Sequence, residues 1–337
     1  MQILIIDDGL PDSVKFYRTY GVLPWIEKGS GGSIRFDFKR SVDVREIDFY
    51  HYDVVIPEKY YMPHIYQFII FAKQAGCKVW IDDDDARLNI PKGNRGRKFY
   101  LIEENRKRVQ KALQLADLIT VTTPALKKMY RGYNSNIHVV PNAWNDYRLA
   151  ISEPKPQNKP ARILWRGHDT HDPDLADVQK PLTDIYRRRA EFDFRFIGHS
   201  PAYIDLQPQE EIAAVNIGGY FSLMKQLSGD FLFVPLVDHE FNKAKSNIAL
   251  IEALLSGMPA IAPISMPEFD RPGVIRYKGN ADIPKVFSRI AQGQYNKEEI
   301  VKEGQDWLEE VRLSKVNELR VKAIETMWKK ELEKAEP

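Results

Sequence analysis

The stretch of the sequence with the clearest chemical character is 233–259, FVPLVDHEFNKAKSNIALIEALLSGMP. An apolar strand leads into a polar loop that carries Asn242 and Lys245. Ser246 can cap the following helix, and Gly257 suits the left-handed position at its end. A helix N-terminus presents unpaired N–H groups and partial positive charge, and a lysine beside it adds a full charge. The stretch therefore predicts an anion site for a phosphate group.

Glu252 lies in the middle of this predicted helix. If the helical turn already holds at Lys245, the two side chains share one face and lie about 10 Å apart along the axis. That separation suits a diphosphate at one end and ribose hydroxyls at the other. A surface lysine and a solvated glutamate would show the same spacing, so the sequence leaves both interpretations open.

A second polar turn follows the apolar run at 163–165, in the stretch ILWRGHDTHDPDL. Gly167 allows the backbone to approach a ligand, and Arg166 can offset phosphate charge. Thr170 and His171 supply polar contacts. An ordinary turn between a strand and a helix is the alternative interpretation.

Four consecutive aspartates end a third apolar run, in WIDDDDA at 80–86. At the carboxyl end of a strand, Asp82 or Asp83 could orient a substrate hydroxyl or stabilise positive charge that develops during a reaction. Carboxylate oxygens also suit hard cations, so metal binding is a rival interpretation. We expect Asp84 and Asp85 to be solvated.

The segment 92–111 contains eight basic residues against two acidic ones. Four of the cations lie in its glycine-containing first part: Lys92, Arg95, Arg97 and Lys98. With Phe99 and Tyr100 beside them, they could bind a phosphate backbone and stack on bases. A solvated helix face would carry the same charges.

Apolar runs alternate with helical stretches in both halves of the chain, the pattern of parallel sheets covered by helices on both faces. The predicted strands are 2–7, 54–57, 78–81, 118–121 and 137–140, then 162–165, 194–197, 231–235 and 260–262. The predicted helices of the first half are 63–75, 100–116 and 124–130. Three prolines in 151–161 indicate a linker. We therefore predict an N-terminal domain at 1–150, a C-terminal domain at 162–304 and helices at 305–337 that pack back across both.

The composition agrees with two α/β domains. The chain has 337 residues, of which 43% are hydrophobic and 28% charged, and its net charge is +2. A single cysteine, Cys77, and an N-terminus without a basic run or long apolar stretch predict a cytoplasmic protein without a membrane span. The oligomeric state is open. The sequence has no Walker A motif and no Gly-x-Gly-x-x-Gly, which argues against nucleotide hydrolases and dehydrogenases.

Two of these segments resemble the donor-binding parts of GT-B glycosyltransferases related to family 4. Residues 241–262, FNKAKSNIALIEALLSGMPAIA, are similar to a segment in which a loop enters a helix whose central glutamate binds the nucleotide ribose. Glu252 corresponds to that glutamate, and Lys245 with Ser246 to the loop that meets the donor phosphates. The stretch at 163–175 looks like the turn that opens the C-terminal domain, in a Gly-x-x-Thr-His-x-x-Asp-Leu variant.

The resemblance implies an α/β protein of the GT-B fold, with two doubly wound Rossmann-like domains facing an interdomain cleft. It extends more loosely to 116–142, where the N-terminal domain would close. It implies a retaining transfer of a sugar from a nucleotide-sugar donor, without a cofactor or a metal. Family members often carry a Glu-x7-Glu pair, but Ala244 stands at its first position here, so the donor sugar is open.

Residues, resemblance and position along the chain together give a predicted site. The predicted catalytic residues are Asp82, Asp83, Arg166 and Lys245. The predicted donor-binding residues are Gly167, Thr170, His171, His199, Asn242, Ser246, Asn247 and Glu252. The residues predicted to face the acceptor and phosphates are Tyr17, Arg18, Arg95, Arg97 and Lys98.

Other functions remain open at this level. A nucleotide-sugar epimerase or a phosphorylase would share the architecture, and a two-lobed sugar-binding protein would need no catalytic group. Only a transferase requires a second substrate, so product analysis separates these classes. The acceptor could be a hydroxymethylated DNA base, a polysaccharide or a lipid-linked glycan.

Overall fold

The computed structural model describes residues 1–7, 9 and 13–335. Within these residues the strands form two parallel sheets of six strands each. The first sheet has the order β2-β1-β3-β4-β5-β6. Its strands are β1 (Gln2–Asp7), β2 (Arg35–Arg40), β3 (Val54–Pro57), β4 (Lys78–Asp83), β5 (Leu118–Val121) and β6 (Ile137–Val139). Its helices are α1 (Ser13–Arg18), α2 (Leu23–Gly29), α3 (Pro63–Gln74), α4 (Arg97–Leu101), α5 (Glu103–Leu115) and α6 (Pro124–Tyr130).

The second sheet begins after the proline-rich stretch and has the order β12-β11-β10-β7-β8-β9. Its strands are β7 (Ala161–Arg166), β8 (Phe192–Ile197), β9 (Glu211–Ile212), β10 (Phe231–Phe233), β11 (Ala260–Pro263) and β12 (Val274–Tyr277). The helices that follow β7 are α7 (Asp172–Asp177), α8 (Gln179–Tyr186), α9 (Ile217–Leu227), α10 (Glu240–Lys243), α11 (Ile248–Leu255), α12 (Ile283–Ala291), α13 (Lys297–Leu308) and α14 (Leu313–Ala335).

Each sheet reverses its strand order at one point, between β1 and β3 in the first and between β7 and β10 in the second. Ligands of open parallel sheets bind beyond the carboxyl ends of the strands at such a point. The central strands β3, β5 and β11 are buried along their whole length because helices cover both faces. This burial explains why they appear in the sequence as continuous apolar runs.

The strands that the sequence analysis missed are β2, β9 and β12. β2 has the sequence RFDFKR and lies at the edge of its sheet, so only Phe36 of its side chains is buried. An edge strand with one wet face has too few apolar residues to form a run. The helix predicted at 100–116 is divided, because Ile102 takes an extended conformation (φ −71°, ψ 119°) between α4 and α5.

The end of the chain contacts both halves. α13 packs against α11, whereas α14 packs against α2 and β5 of the first sheet. The segment that connects the two sheets contacts α13, because the indole Nε1 of Trp144 donates to the Leu308 carbonyl oxygen at 2.9 Å. In α14 the side chains of Val316 and Ala323 are buried, while Leu319 is 42% exposed. None of the described helices combines the length and the apolar character that crossing a membrane requires.

Candidate active site in the cleft

A cavity of about 480 Å³ lies between the carboxyl edges of the two sheets. Both reversal points contribute to it, since its lining includes the ends of β7 and β10 and the helix α1. The polar side chains that line it come from both halves of the chain: Tyr17, Arg18, Asp84, Asp85, Asn142, Arg166, His168, His171, Asn216, Tyr220, Lys245, Ser246 and Glu252. The fold therefore places this cavity where the sheet topology predicts a ligand.

Glu252 is the centre of a buried polar network in this cavity. It lies in α11 with 5% of its side chain exposed. Its Oε1 accepts a hydrogen bond from the Tyr17 hydroxyl at 3.0 Å, and its Oε2 accepts one from the Tyr220 hydroxyl at 3.0 Å. Burial, followed by the negative charge of Glu252, raises the pKa of both phenols well above the ordinary value, so both stay protonated donors.

Arg166 supplies the positive charge of the network. Its Nη2 lies 2.6 Å from Oε2 of Glu252, which makes an ion pair. Its Nε, in contrast, is buried and has no hydrogen-bond acceptor among the described residues. A buried donor without an acceptor costs about 1–3 kcal/mol, so Nε would gain from an anionic ligand.

The loop before α11 differs from the expected geometry. The helix begins at Ile248 with Asn247 at its N-cap, so Lys245 is not helical and does not share a helix face with Glu252. The backbone N–H of Lys245 instead donates to the Asn242 carbonyl oxygen at 3.1 Å, which extends the turn of α10. The predicted cap at Ser246 is therefore wrong.

Lys245 and Ser246 nevertheless line the cavity. The ammonium of Lys245 lies 4.7 Å from the centre of the Phe241 ring and 3.8 Å from Oδ1 of Asp85. The Ser246 hydroxyl oxygen accepts a hydrogen bond from Asn142 Nδ2 at 2.8 Å. The cation and the hydroxyl thus stand where the two halves of the chain meet.

Two glycines allow β7 and β8 to end close together. A Cβ on Gly167 would lie 2.7 Å from the Trp165 ring, and one on Gly198 would lie 2.6 Å from the carbonyl oxygen of Gly167. Gly198 also has a φ of +87°, which other residues rarely adopt. Gly167 was predicted from its motif, whereas the sequence analysis missed Gly198 because its partner is 31 residues away.

Asp82 and Asp83 do not line the cavity, in contrast to their predicted catalytic position. Both carboxylate oxygens of Asp82 accept hydrogen bonds from Arg18, at 2.7 and 2.6 Å. Asp83 is on the other face, because successive side chains of a strand alternate. Its carboxylate accepts hydrogen bonds from Tyr60 at 2.6 Å and Tyr130 at 2.7 Å and is fully buried.

The aspartates that reach the cavity are Asp84 and Asp85, which we expected to be solvated. Only 20% of the Asp84 side chain is exposed. Burial and then the charge of Asp85 raise the pKa of Asp84 to about 7. The loop that follows the strand, rather than the strand itself, therefore presents carboxylates to the cleft.

Arg18 lines the cavity, and its guanidinium is bound by protein groups. It is 4% exposed, and in addition to Asp82 its Nη1 donates to the carbonyl oxygen of Val140 at 2.8 Å and to Asn142 Oδ1 at 3.2 Å. Its charge is neutralised at the carboxyl edge of the first sheet. Arg18 therefore fixes α1 against β4 and β6.

The remaining predicted donor residues differ in whether they line the cavity. His171 lines the cavity, and burial lowers the pKa of its imidazole, which lies 2.8 Å from Asp174. Thr170, His199, Asn242 and Asn247 do not line it. They contact other protein groups: the Thr170 carbonyl oxygen accepts from Asn94, His199 lies 2.5 Å from Asp172, Asn242 donates to Asp174 and Asn247 to the Glu268 carbonyl oxygen.

Three functional candidates were not identified from the sequence: His168, Asn216 and Tyr220. Asn216 caps α9, since its Oδ1 accepts from the Gly219 N–H at 3.0 Å. The cap residue followed by two glycines could have indicated this helix start. Nothing local indicated that Tyr220, one turn further, meets Glu252.

The predicted basic residues lie away from the main cavity. Arg95 forms an ion pair with Asp169 at 2.7 Å, which joins its loop to the turn that opens the second half of the chain. Arg97 lines a smaller cavity beside it, and Lys98 is exposed. Among the described residues, no cluster of three or more histidine, cysteine, aspartate or glutamate side chains could hold a metal ion.

A buried ionic cluster fixes α1, the helix that carries Tyr17 and Arg18. Lys15 Nζ lies 3.3 Å from Oε2 of Glu58 and also contacts Asp7, while the Thr19 hydroxyl donates to Oε1 of Glu58 at 2.6 Å. Burial raises the pKa of Glu58 to about 7, although Thr19 and Lys15 favour its charged form. Ionised Glu58 is therefore costly in the folded protein.

This cost predicts how stability depends on pH. Because the pKa of Glu58 is raised on folding, its cost is absent below about pH 4.5 and grows until about pH 7. Glu58→Gln should therefore be more stable relative to wild type at pH 8 than at pH 5, by about 1–2 kcal/mol. Urea unfolding at the two pH values measures this. The exposed control Glu104→Gln should show no such difference, and an equal shift in both variants would contradict the prediction.

No protein-family model matches the sequence, and no curated protein sequence matches it. Solved structures, in contrast, match this chain in their fold. HepE of Anabaena in complex with UDP and glucose has a TM-score of 0.67 at 11% identity, covering 96% of this chain and 99% of that one. The lipopolysaccharide outer core galactosyltransferase WaaB has a TM-score of 0.61 at 14% identity, with the same coverage. A structure described as trehalose-6-phosphate from E. coli bound with UDP-2-fluoro glucose has a TM-score of 0.61 at 9% identity, covering 97% and 99%.

At such low identity the likeness concerns the fold. It spans nearly the whole chain and agrees with the two parallel sheets and the cavity between their carboxyl edges. This chain therefore has the α/β architecture of the GT-B fold.

Proposed function

We propose that the protein is a glycosyltransferase that moves a sugar from a nucleotide-sugar donor to an acceptor hydroxyl. The observation that carries the proposal is the convergence of Arg166, Lys245 and Glu252 on one cavity at the reversal points of both sheets. The solved structures of this fold that hold UDP or a UDP-sugar support a uridine nucleotide as the first donor to test.

The donor diphosphate would bind between the two halves of the chain. Nε of Arg166 is a buried donor without an acceptor among the described residues, and the ammonium of Lys245 is 3.8 Å from its carboxylate neighbour, Asp85. Ser246 adds a hydroxyl to the same wall. Negative charge develops on the diphosphate as the sugar leaves, so fixed cations here lower the barrier.

The nucleotide ribose would bind Glu252. A carboxylate accepts hydrogen bonds from two neighbouring hydroxyls, and Glu252 already accepts from the hydroxyls of Tyr17 and Tyr220. Tyr17 comes from the other half of the chain, and a ribose hydroxyl bound to Oε1 would take the place of its hydroxyl. Donor binding would then replace the Tyr17 contact.

This replacement predicts the effect of removing the Tyr17 hydroxyl. Tyr17→Phe leaves Oε1 of Glu252 without its donor, so a ribose hydroxyl gains more on binding. We expect the affinity for UDP to rise about three- to tenfold, the scale of one net hydrogen bond. Calorimetry measures it, with Tyr220→Phe as the control, because Tyr220 lies on the donor's own side and should show no gain. Equal gains in both variants, or none in Tyr17→Phe, would contradict the model of competition.

We propose retention at the anomeric carbon as the stereochemical outcome. In that mechanism an oxygen of the donor phosphate takes the acceptor proton, and no protein base is obligatory. Asp82 and Asp83 fit this view because protein groups occupy both carboxylates. Asp84 and Asp85, which line the cavity from the acceptor side, would bind acceptor hydroxyls. The proposal needs neither a cofactor nor a metal.

The decisive experiment supplies the protein with a panel of nucleotide sugars and follows the products by NMR. Release of nucleoside diphosphate and sugar identifies the donor, and the anomeric configuration of the first product distinguishes retention from inversion. Epimerised nucleotide sugar would instead favour an epimerase. Nucleotide binding without turnover, after glycans and hydroxymethylated DNA have been supplied as acceptors, would favour a binding protein.

A further inference from the structure

The basic segment 92–111 lies beside the mouth of the cleft. Its first loop touches the turn after β7, where Asn94 Nδ2 donates to the Thr170 carbonyl oxygen at 3.2 Å. A second cavity of about 400 Å³ runs along this contact, and its lining includes both Lys92 and Lys245. The first loop of the segment therefore lies beside the candidate active site.

The aromatic side chains of the segment are not available for stacking on bases. Tyr100 is only 7% exposed, and its hydroxyl accepts from Arg87 Nη1 at 3.4 Å. The rings of Phe99 and Tyr100 both pack edge-on against Tyr61, with centroids 5.6 Å apart. Two cations of the segment bind the protein itself, because Arg106 and Arg108 donate to the carbonyl oxygens of Leu88 and Tyr61. The aromatic pair that favoured nucleic-acid binding, Phe99 and Tyr100, therefore packs in and against the core.

Two aliphatic side chains are exposed in their place. Leu101 is 61% exposed and Ile102 is 54% exposed, side by side where α4 meets α5. The exposed cations of the same segment are Lys92, Arg95, Lys98, Lys107 and Lys111. Two exposed acidic residues accompany them, of which Glu103 is paired with Lys107 at 2.6 Å. Because Arg95 is paired with Asp169, the excess of positive charge beside this apolar tip comes from Lys92, Lys98 and Lys111, against Glu104.

We propose that this surface docks on an anionic lipid bilayer. An aliphatic pair gains free energy by entering the boundary between headgroups and acyl chains, while lysines around it are attracted to lipid phosphates. A DNA backbone would use the cations but would leave Leu101 and Ile102 in water. The inference goes beyond the proposed function and does not depend on it. If both hold, the cleft faces a membrane, and the acceptor belongs to the class of lipid-linked hydroxyl compounds.

Vesicle sedimentation tests the proposal with the full chain. We expect binding to phosphatidylcholine vesicles that contain about one third phosphatidylglycerol, and much weaker binding to phosphatidylcholine alone. Leu101→Ser with Ile102→Ser should lower the partition coefficient about tenfold or more. Lys98→Gln and Lys111→Gln should each lower it about fivefold. The matched control is Val42→Ser with Ile47→Ser, whose side chains are 74% and 60% exposed elsewhere, and it should bind like wild type.

Three results would overturn the proposal: no binding to anionic vesicles, equal binding losses in the aliphatic double variant and its control, or salt-sensitive binding to duplex DNA that ignores the aliphatic pair. Melting temperatures establish that each variant is folded. Donor hydrolysis in solution, measured without vesicles, reports on the proposed function separately. Failure of docking with intact hydrolysis therefore rejects only the membrane surface.

Discussion

Replacing Lys245 by alanine is expected to lower turnover by about 100-fold or more, the effect of removing one fixed charge from a developing oxyanion. The ammonium reaches the wall between the halves of the chain, where the leaving diphosphate would lie. The fold should tolerate the change. Its contacts are a ring at 4.7 Å and a carboxylate at 3.8 Å, and such partly exposed interactions contribute about 1 kcal/mol or less.

Lys243→Ala provides the matched control. It is the same substitution two residues earlier, and Lys243 pairs with Asp238 at 2.7 Å outside the cavity. Rates of nucleoside diphosphate release, with melting temperatures for all proteins, give the comparison. If Lys245→Ala retains activity within a few-fold of Lys243→Ala, Lys245 is an ordinary surface residue and the assignment of the diphosphate site is wrong.

Glu252→Gln is expected to weaken nucleoside diphosphate binding by about 1–3 kcal/mol, which is the range of a charge-assisted hydrogen bond. The amide keeps the size of the side chain but has one acceptor oxygen in place of two. It also leaves Arg166 without its charge partner, now 2.6 Å away, so we expect a lower melting temperature as well.

The two effects of Glu252→Gln can be separated. Calorimetry well below the melting temperature measures the affinity of the folded protein. Comparison of UDP with inorganic diphosphate tests whether the loss of affinity requires the ribose. Glu240→Gln, at the exposed first residue of α10, is the control for the loss of a glutamate charge. Unchanged UDP affinity in Glu252→Gln would reject the ribose site, whereas an equal loss for inorganic diphosphate would assign Glu252 to the phosphates.

Much of the fold could be predicted because it depends on neighbours along the chain. β1, β3 and β5 have the predicted bounds, since a strand buried on both faces must be apolar throughout. α6 also begins and ends as predicted, with Thr123 accepting at its N-cap and a proline in its first turn. The candidate site could be predicted in part: Glu252 and Arg166 reach the cavity as the motifs indicated, while their roles await the experiments above.

The remaining features depend on residues that meet only after folding. Tyr17 and Glu252 are 235 positions apart, so no local pattern could reveal their hydrogen bond. The sequence by itself determined two α/β halves, a polar turn at each strand end and a cation beside a helix start, because apolar periodicity and turn chemistry are local. Only the tertiary structure decided which two of the four adjacent aspartates line the cleft and that Phe99 packs against the core. Those choices depend on the pleat of β4 and on what each side chain meets across the fold.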